Sequence, residues 1–435
     1  MPNLIEPRVL KGFRDFLPHQ ESERQLIMAL LAGAFSSFGF VPIDTPILEY
    51  TEILLGKGGG ETDKQVYRFE DQGGRDVAMR YDLTVPFARY MAAHLAELYL
   101  PFKRYHMAKA FRGENTQRGR YREFVQCDFD IVGTEAPGAD LEIVLMIDRA
   151  FRTIGVDEVE IHIAHRGVFS VLLDSLGLTE GVDEVLRAVD KLRKIGEEKV
   201  REQLDALVGG DAASRVLELI SLSGDNRSVL ARMREIVPGA SDHFDRLDAI
   251  LEAASALDMD ERIVLDPAIT RGLDYYTGIV FETFLKELPG IGSVCSGGRY
   301  DDLAGLYSKQ RMPGVGASIG LDRLMAGLEE LGVSAATAGA ADAIVLCLDD
   351  KLSAHYHAIA ERLRAAGLRV DVYPEPRKLG QQFSFAEKKG IPAAIVCGEQ
   401  EYAKGAVNVR ELATRENTDG ISVDDAIDVV RRIRG

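Results

Sequence analysis

Residues 168–260 of this 435-residue chain read only as short helices, and that block constrains how everything around it can fold. The segments VFSVLLDSLG, VDEVLRAVDKLRKIG, EEKVREQLDALVG and AASRVLELISL carry apolar residues at helical spacing and are broken by Gly and Asp. Strand-rich sequence lies on both sides. Ahead of the block, strand-like segments dominate as far as Gly133, between a helix over 21–38 and a second over 139–154. Behind it, strands return at IVLDPAITRGLDYYTGIVFETFL and GSVCSGGRYDDL, and the small-residue strand GVGASIG runs into the helix LDRLMAGLEELG. The block is thus a helical insertion between two strand-rich parts.

The first helix repeats Leu26, Ala29, Leu30, Gly33, Ala34 and Ser37 on one stripe, and Gly39 stops it. Pro42 and Pro46 mark the following FVPIDTPILEY as an edge strand, because proline cannot donate to a ladder. In LLGKGGGETDKQ, Lys57 precedes the glycine triplet, whereas a phosphate loop needs lysine after the glycines. Gly58, Gly59 and Gly60 therefore predict a mobile loop. The small residues at 333–340 predict a linker. From 341 to 435 short apolar runs alternate with helices, which predicts a parallel sheet with covering helices. The last helix, SVDDAIDVVRRIRG, opens on serine and acids and closes on arginines, matching its dipole.

The N-terminal MPNLIEPRVLKGFRDF is charged where a signal peptide needs an apolar core, and no apolar run approaches the roughly 18 residues of a membrane helix. A cytosolic location is expected. Cys127, Cys295, Cys347 and Cys397 are far apart and form no C-x-x-C pair, which suits neither a disulfide framework nor zinc. His162 and His165 would lie on opposite faces of a strand, so no metal motif emerges. A net charge of −17 argues against a broad nucleic-acid surface. Yet residues 102–122 hold seven Lys/Arg against the single acid Glu114, which predicts either a polyanion site or a solvated hairpin.

Three elements could carry chemistry. In the strand around 122–131, Val125, Cys127, Phe129 and Ile131 share one face, while Arg122, Phe124, Gln126, Asp128 and Asp130 share the other. That polar face either meets water or floors a cleft, with Arg112 and Glu114 on the preceding hairpin. The run Arg271-Gly272-Leu273-Asp274-Tyr275-Tyr276-Thr277-Gly278 could stack on a planar polar ligand or form a turn with two half-buried tyrosines. In Gly314–Gly320 small residues would either let a ligand approach the backbone or serve close packing alone, and Arg323 follows in the first helical turn, whose positive end favours phosphate.

Together these segments resemble the histidyl-tRNA synthetases, a class II aminoacyl-tRNA synthetase family, over essentially the whole chain. The likeness rests on KGFRDFLP, MRYDLTVPFARY at 79–90, FRGENTQRGRYREFVQCDFDIVG at 111–133, RGLDYYTG at 271–278, SGGRYDDL at 296–303 and GASIGLDRL at 316–324. Where many bacterial members carry Pro-Glu-Gly-Thr, this chain has Tyr-Asp-Leu-Thr, the other common branch. The resemblance implies an α+β class II core, a mainly antiparallel sheet flanked by helices, over 1–332, interrupted at about 168–260. It implies an α/β anticodon-binding domain over 341–435. The implied reaction joins L-histidine to ATP with Mg²⁺ and then charges tRNA(His), and a homodimer is expected.

The same resemblance assigns residues. Asp82, Leu83 and Thr84 would hold the substrate's amino group and backbone, with Gln126 and Asp130 contacting it from their strand. Arg112 would bind the α-phosphate and carboxylate, and Arg271 is the expected catalytic arginine. Tyr275 and Tyr276 would surround the imidazole, while Glu114, Arg120 and Arg323 would serve ATP. A rival of different class is the catalytically inactive synthetase-like regulator of ATP phosphoribosyltransferase, which generally lacks the C-terminal domain and the intact motifs.

Overall fold

The computed structural model describes residues 4–56, 65–178, 181–270, 276–301, 305, 307, 311–333 and 341–434. The Lys57–Gly60 loop, the candidate residues Arg271 and Tyr275, and 334–340 of the expected linker lie outside the described residues. The chain forms two units, Met1–Ala335 and Ala336–Gly435.

In the first unit the strands are β1 (Val41–Pro42), β2 (Leu48–Tyr50), β3 (Arg68–Glu70), β4 (Asp76–Met79), β5 (Phe102–Phe111), β6 (Glu123–Val132), β7 (Val159–His165), β8 (Ile263–Leu265), β9 (Ile279–Leu285), β10 (Cys295–Tyr300) and β11 (Gly314–Gly320). Eight of them form one sheet in the order β1-β5-β6-β11-β10-β9-β7-β8, and β2-β4-β3 form a small second sheet. The pairings of β5, β6, β11, β10, β9 and β7 are antiparallel, while β1 and β8 join the edges in parallel. Pro42 sits in the edge strand, where its missing N–H costs no ladder bond. The helices between Arg166 and Ala256 leave the sheet after β7 and return it at β8, so the block is one long crossover between neighbouring parallel strands.

One face of the sheet makes the core. Val125, Cys127, Phe129 and Ile131 of β6 are buried against Ile27, Leu31 and Phe35 of the helix Pro18–Ser37 and against Ile143, Ile147 and Phe151 of Pro137–Thr153. The buried stripe of the first helix is therefore Arg24, Ile27, Leu31, Ala34 and Phe35, rotated from the expected one. Leu26 lies at the surface, because the larger Ile27, Leu31 and Phe35 bury more apolar area than Ala29, Leu30 and Gly33 can. A second departure is the helix Thr84–His94, inside a stretch expected to be strand. Its first turn is held by the Asp82 carboxylate, which accepts the Val85 N–H at 3.1 Å.

The second unit has strands β12 (Ala343–Val345), β13 (Val370–Val372), β14 (Ala393–Val396), β15 (Val407–Glu411) and β16 (Asn417–Ile421), ordered β13-β12-β14-β15-β16. The first three run parallel, as the alternating pattern predicts. The last two are antiparallel, so the sheet is mixed rather than parallel. The reason is polarity: no residue of NTDGI in β16 is fully buried, so this outer strand lacks the apolar run of a covered one. Tyr356, Ile359 and Leu363 of the helix Ser353–Ala365 and Val430 of Val423–Arg434 pack with Val345, Ile395 and Val409 to form its core.

Candidate active site

The other face of β6 carries the polar residues, with Asp128 and Asp130 buried and Gln126 half-buried. It floors a cleft of about 310 Å³ lined by Asp82, Thr84, Arg112, Glu114, Arg120, Gln126, Tyr276 and Arg323 among others. Eight of the candidate residues thus converge from four separate segments. Leu83 is fully buried and packs behind them. Asp130 lies beneath the lining, with Arg104 at 2.6 Å and the Tyr300 hydroxyl donating to it at 2.8 Å. Two glycines make this packing possible. A Cβ on Gly316 would stand 2.1 Å from the Asp130 carboxylate, and one on Gly297 would meet the Gly316 carbonyl at 2.2 Å.

The basic run over 102–122 resolves into distinct roles. Lys103, Lys109 and Arg118 form ion pairs with Glu142, Glu123 and Glu330, so they are ordinary paired charges. Arg104 is buried beside Asp130 with its ring-like plane 4.1 Å from the Phe87 ring. Arg122 donates through Nε to the Glu114 carbonyl at 3.2 Å, which shapes the hairpin. Arg112 and Arg120 remain for the cleft, and Arg323 joins them from the helix Leu321–Leu331. Arg112 is anchored by its Nε donating to the Tyr81 carbonyl at 2.9 Å. Arg323 donates to the Ser293 carbonyl at 2.6 Å.

The floor has the opposite sign. Burial lifts Asp128 to a pKa of about 7, against the lowering effects of Arg104 and Ser318. Burial likewise lifts Asp82 to about 6, although the Val85 N–H and the arginines 112 and 104 pull it down. Tyr276 is pushed well above its ordinary range by burial and by the charges of Asp130, Asp128 and Asp82. An arriving cation would relieve these carboxylates, so the floor favours an ammonium group and the rim favours phosphate.

Charge burial at Asp128 has a measurable consequence. Unfolded, the group titrates near 3.8, and folded it titrates near 7. The folded chain then holds a proton that the unfolded chain has lost, so stability falls as pH rises between those values. Asp128→Asn should stabilise the ligand-free protein near pH 8 by on the order of 2–4 kcal/mol, raising its melting temperature there, with little gain near pH 4. Melts at the two pH values read this directly. An equal shift at both would mean that charge burial is not the cause.

Sequence reasoning missed Asp322, Glu282 and Ser318, all of which line the cleft. Asp322 accepts from Arg24 and from the Val125 N–H, each at 2.7 Å, and from Arg14. Its only signal in the sequence is adjacency to Arg323.

A mainly antiparallel sheet whose open face holds arginines at the rim and carboxylates at the floor, in a chain that also carries a separate mixed-sheet unit, is the arrangement of a class II aminoacyl-tRNA synthetase. The histidyl-tRNA synthetase family model matches residues 12–324, and an anticodon binding domain model matches 342–433. The chain belongs to the histidyl-tRNA synthetase family. It is 51% identical over 422 residues to a protein of Rhodopirellula baltica named histidine–tRNA ligase, covering 96% of each chain. A Treponema denticola protein of the same name is 52% identical over 398 residues, covering 90% of this chain and 89% of that one. The crystal structure of histidyl-tRNA synthetase from a Nostoc species superposes with a TM-score of 0.88 at 32% identity, over 99% of this chain and all of the other.

Proposed function

We infer that the protein activates L-histidine with ATP and then transfers the histidyl group to the 3′ end of tRNA(His). The observation that carries this reading is the two-signed cleft, cationic at Arg112, Arg120 and Arg323 and anionic at Asp82, with Asp128 buried behind the lining. An amino-acid carboxylate, with a pKa of about 3.5, is ionised at neutral pH and needs no general base. Its oxygen attacks the α-phosphorus, a P–O bond forms, and pyrophosphate leaves with the electron pair. A terminal tRNA hydroxyl then attacks the histidyl carbonyl and AMP departs. The work left to the chain is alignment and charge neutralisation.

We assign the roles as follows. Arg112 and Arg271 neutralise the α-phosphate and hold the substrate carboxylate, with Arg271 taken from the family likeness alone. Asp82, Thr84 and Gln126 receive the amino group, while Leu83 and Asp130 support that pocket from behind. Tyr275 and Tyr276 enclose the imidazole. Glu114 and Arg120 face the adenine end, and Arg323 faces the γ-phosphate. Among the described residues no group of three or more His, Cys, Asp or Glu is arranged to hold a metal. Mg²⁺ is proposed to arrive on the nucleotide phosphates, a mode that asks one or two carboxylates of a protein. Glu282 and Glu114 line the cleft and would hold it there, where the ion would neutralise phosphate charge.

The 341–435 unit is proposed to contact the tRNA anticodon, and the 168–260 block remains part of the catalytic domain spanning 1–332. No helix among the described residues is long and apolar enough to cross a membrane, and we place the enzyme in the cytosol. A homodimer is supported by the exposure of Leu4, Ile5 and Leu10 near the N-terminus and of Leu48, Tyr50 and Phe69 on the small sheet. Sedimentation should give about twice the 47.8 kDa chain mass, and a monomer at micromolar concentration would reject the pairing. The regulatory alternative has less behind it, because the cleft arginines are intact and the relatives are named as ligases.

Histidine-dependent ATP–pyrophosphate exchange tests the reading. Exchange with histidine and not with proline, threonine or glycine is expected. No exchange with any of them, from folded protein with Mg²⁺, would reject it in favour of the regulator.

A further inference from the structure

On the cleft face, β11 sets Gly316, Ser318 and Gly320 opposite Asp130, Asp128 and Gln126 of β6. Ser318 is therefore the one hydroxyl on a row of glycines, and it stands beside the one carboxylate of that face that Arg104 and Tyr300 do not hold. The Gln126 amide donates from Nε2 to Ser318 Oγ at 3.0 Å, and the same nitrogen lies 3.5 Å from Asp128 Oδ1. Ser318 is the register partner of Asp128 across the two strands, and its hydroxyl acts to lower the carboxyl's pKa against burial. At the other end of the amide, Gln126 Oε1 is buried and finds no donor among the described residues.

The polarity of this chain follows from the groups themselves. An ionised carboxylate only accepts, so it draws the Ser318 hydrogen toward itself. The serine oxygen is then left to accept, which requires the NH₂ end of Gln126. The carbonyl end must face away from Ser318, toward whatever enters the cleft. A buried amide oxygen without a donor is expensive, and an ammonium group would supply one. Resting on the reading that the cleft binds an amino acid, we propose that Asp128 and Ser318 are positioning residues that lock the Gln126 amide with its carbonyl toward the substrate ammonium.

Protonated Asp128 could donate instead of accept, and the chain would reverse, turning the amide NH₂ toward the ammonium. The groups around Asp128 are Arg104 and His106 on β5, Asp130 and Cys127 on β6, Asp82 and Arg80 ahead of the helix Thr84–His94, and Tyr276 and Cys295 across the cleft. Burial lowers His106 to about 4, so it stays neutral where Asp128 titrates.

Exchange kinetics on the full chain test the proposal. Ser318→Ala should raise the histidine KM about tenfold or more, the scale of a hydrogen bond to a charged group, while kcat and the ATP KM stay within about threefold. Ser318→Thr, which keeps the hydroxyl, should restore the KM. Adding Ser318→Ala to Gln126→Ala should add nothing, because the serine acts through the amide. The histidine KM of the parent should fall as pH rises through about 7, beyond the slope that histidine's own ionisation gives, and Asp128→Asn should retain only that slope. Additive effects of Ser318→Ala and Gln126→Ala, or an unchanged KM in Ser318→Ala, would overturn the relay while leaving amino-acid binding intact. A Gln126→Ala protein with normal histidine KM would overturn the binding role as well.

Discussion

Arg112→Ala should slow histidine-dependent ATP–pyrophosphate exchange by about 10²–10³-fold in a chain that still folds. The expectation comes from how the side chain is held before any substrate arrives. Its backbone N–H is fixed by the Arg122 carbonyl at 2.9 Å, across the base of the hairpin. Its Nε is fixed by the Tyr81 carbonyl at 2.9 Å, and its guanidinium carbon lies 5.1 Å from the centre of the Phe124 ring. Its Nε is thus spent on anchoring, in a side chain that lines the cleft. Donors already aimed at the place where charge develops need no reorganisation during the reaction, which is why their loss falls on kcat more than on KM. Lysine cannot keep the Tyr81 anchor and reach the same point with a second donor, so Arg112→Lys should recover little. A loss below about threefold, with normal histidine and ATP dependence, would remove Arg112 from the reaction.

Much of this site is legible in the sequence wherever a strand's alternation carries the information. In β6, Val125, Cys127, Phe129 and Ile131 join the core, while Gln126 reaches the cleft and Asp128 and Asp130 lie buried as polar residues. What alternation cannot say is whether the polar face meets water, since that depends on strands and loops from elsewhere in the chain. Counting charge over 102–122 misleads for the same reason. The partners of Lys103 and Arg118 lie at Glu142 and Glu330, outside the run. The helix Thr84–His94 is hidden because its start signal, Asp82, is two residues ahead of the first helical residue and doubles as a cleft carboxylate. For Arg271 and Tyr275 the residues themselves leave a stacking surface and a turn both open, and their roles come from the family resemblance. Ser318 looks like a small residue kept for close packing, and only its register opposite Asp128 gives it a role.

Asp322→Ala should destabilise the first unit by about 3–5 kcal/mol, enough to lower its melting point by several degrees. The side chains of Asp322 and Arg24 are 3% and 5% exposed, and they meet at 2.7 Å. Arg24 also stacks 4.0 Å from the Phe16 ring, and Arg14 reaches the same carboxylate. The other carboxylate oxygen accepts the Val125 N–H at 2.7 Å. Alanine would therefore leave the buried Arg24 guanidinium with only the half-exposed Glu21 at 3.3 Å and a strand N–H without its acceptor, the costly half of breaking a buried pair. Asp322→Asn keeps an acceptor for Val125 and loses the charge, so its cost should be intermediate. The paired change Arg24→Met with Asp322→Leu removes both ions and should recover part of the lost stability, because buried pairs owe much of their apparent value to the charge left behind. It should not recover exchange activity. Asp322 ties β6 and the N-terminal segment to the helix that carries Arg323, so stability returns with apolar packing while the rim arginine loses its alignment. Urea melts and exchange rates on the same three proteins separate the two effects, and a double variant that regains both would show that the carboxylate serves the fold alone.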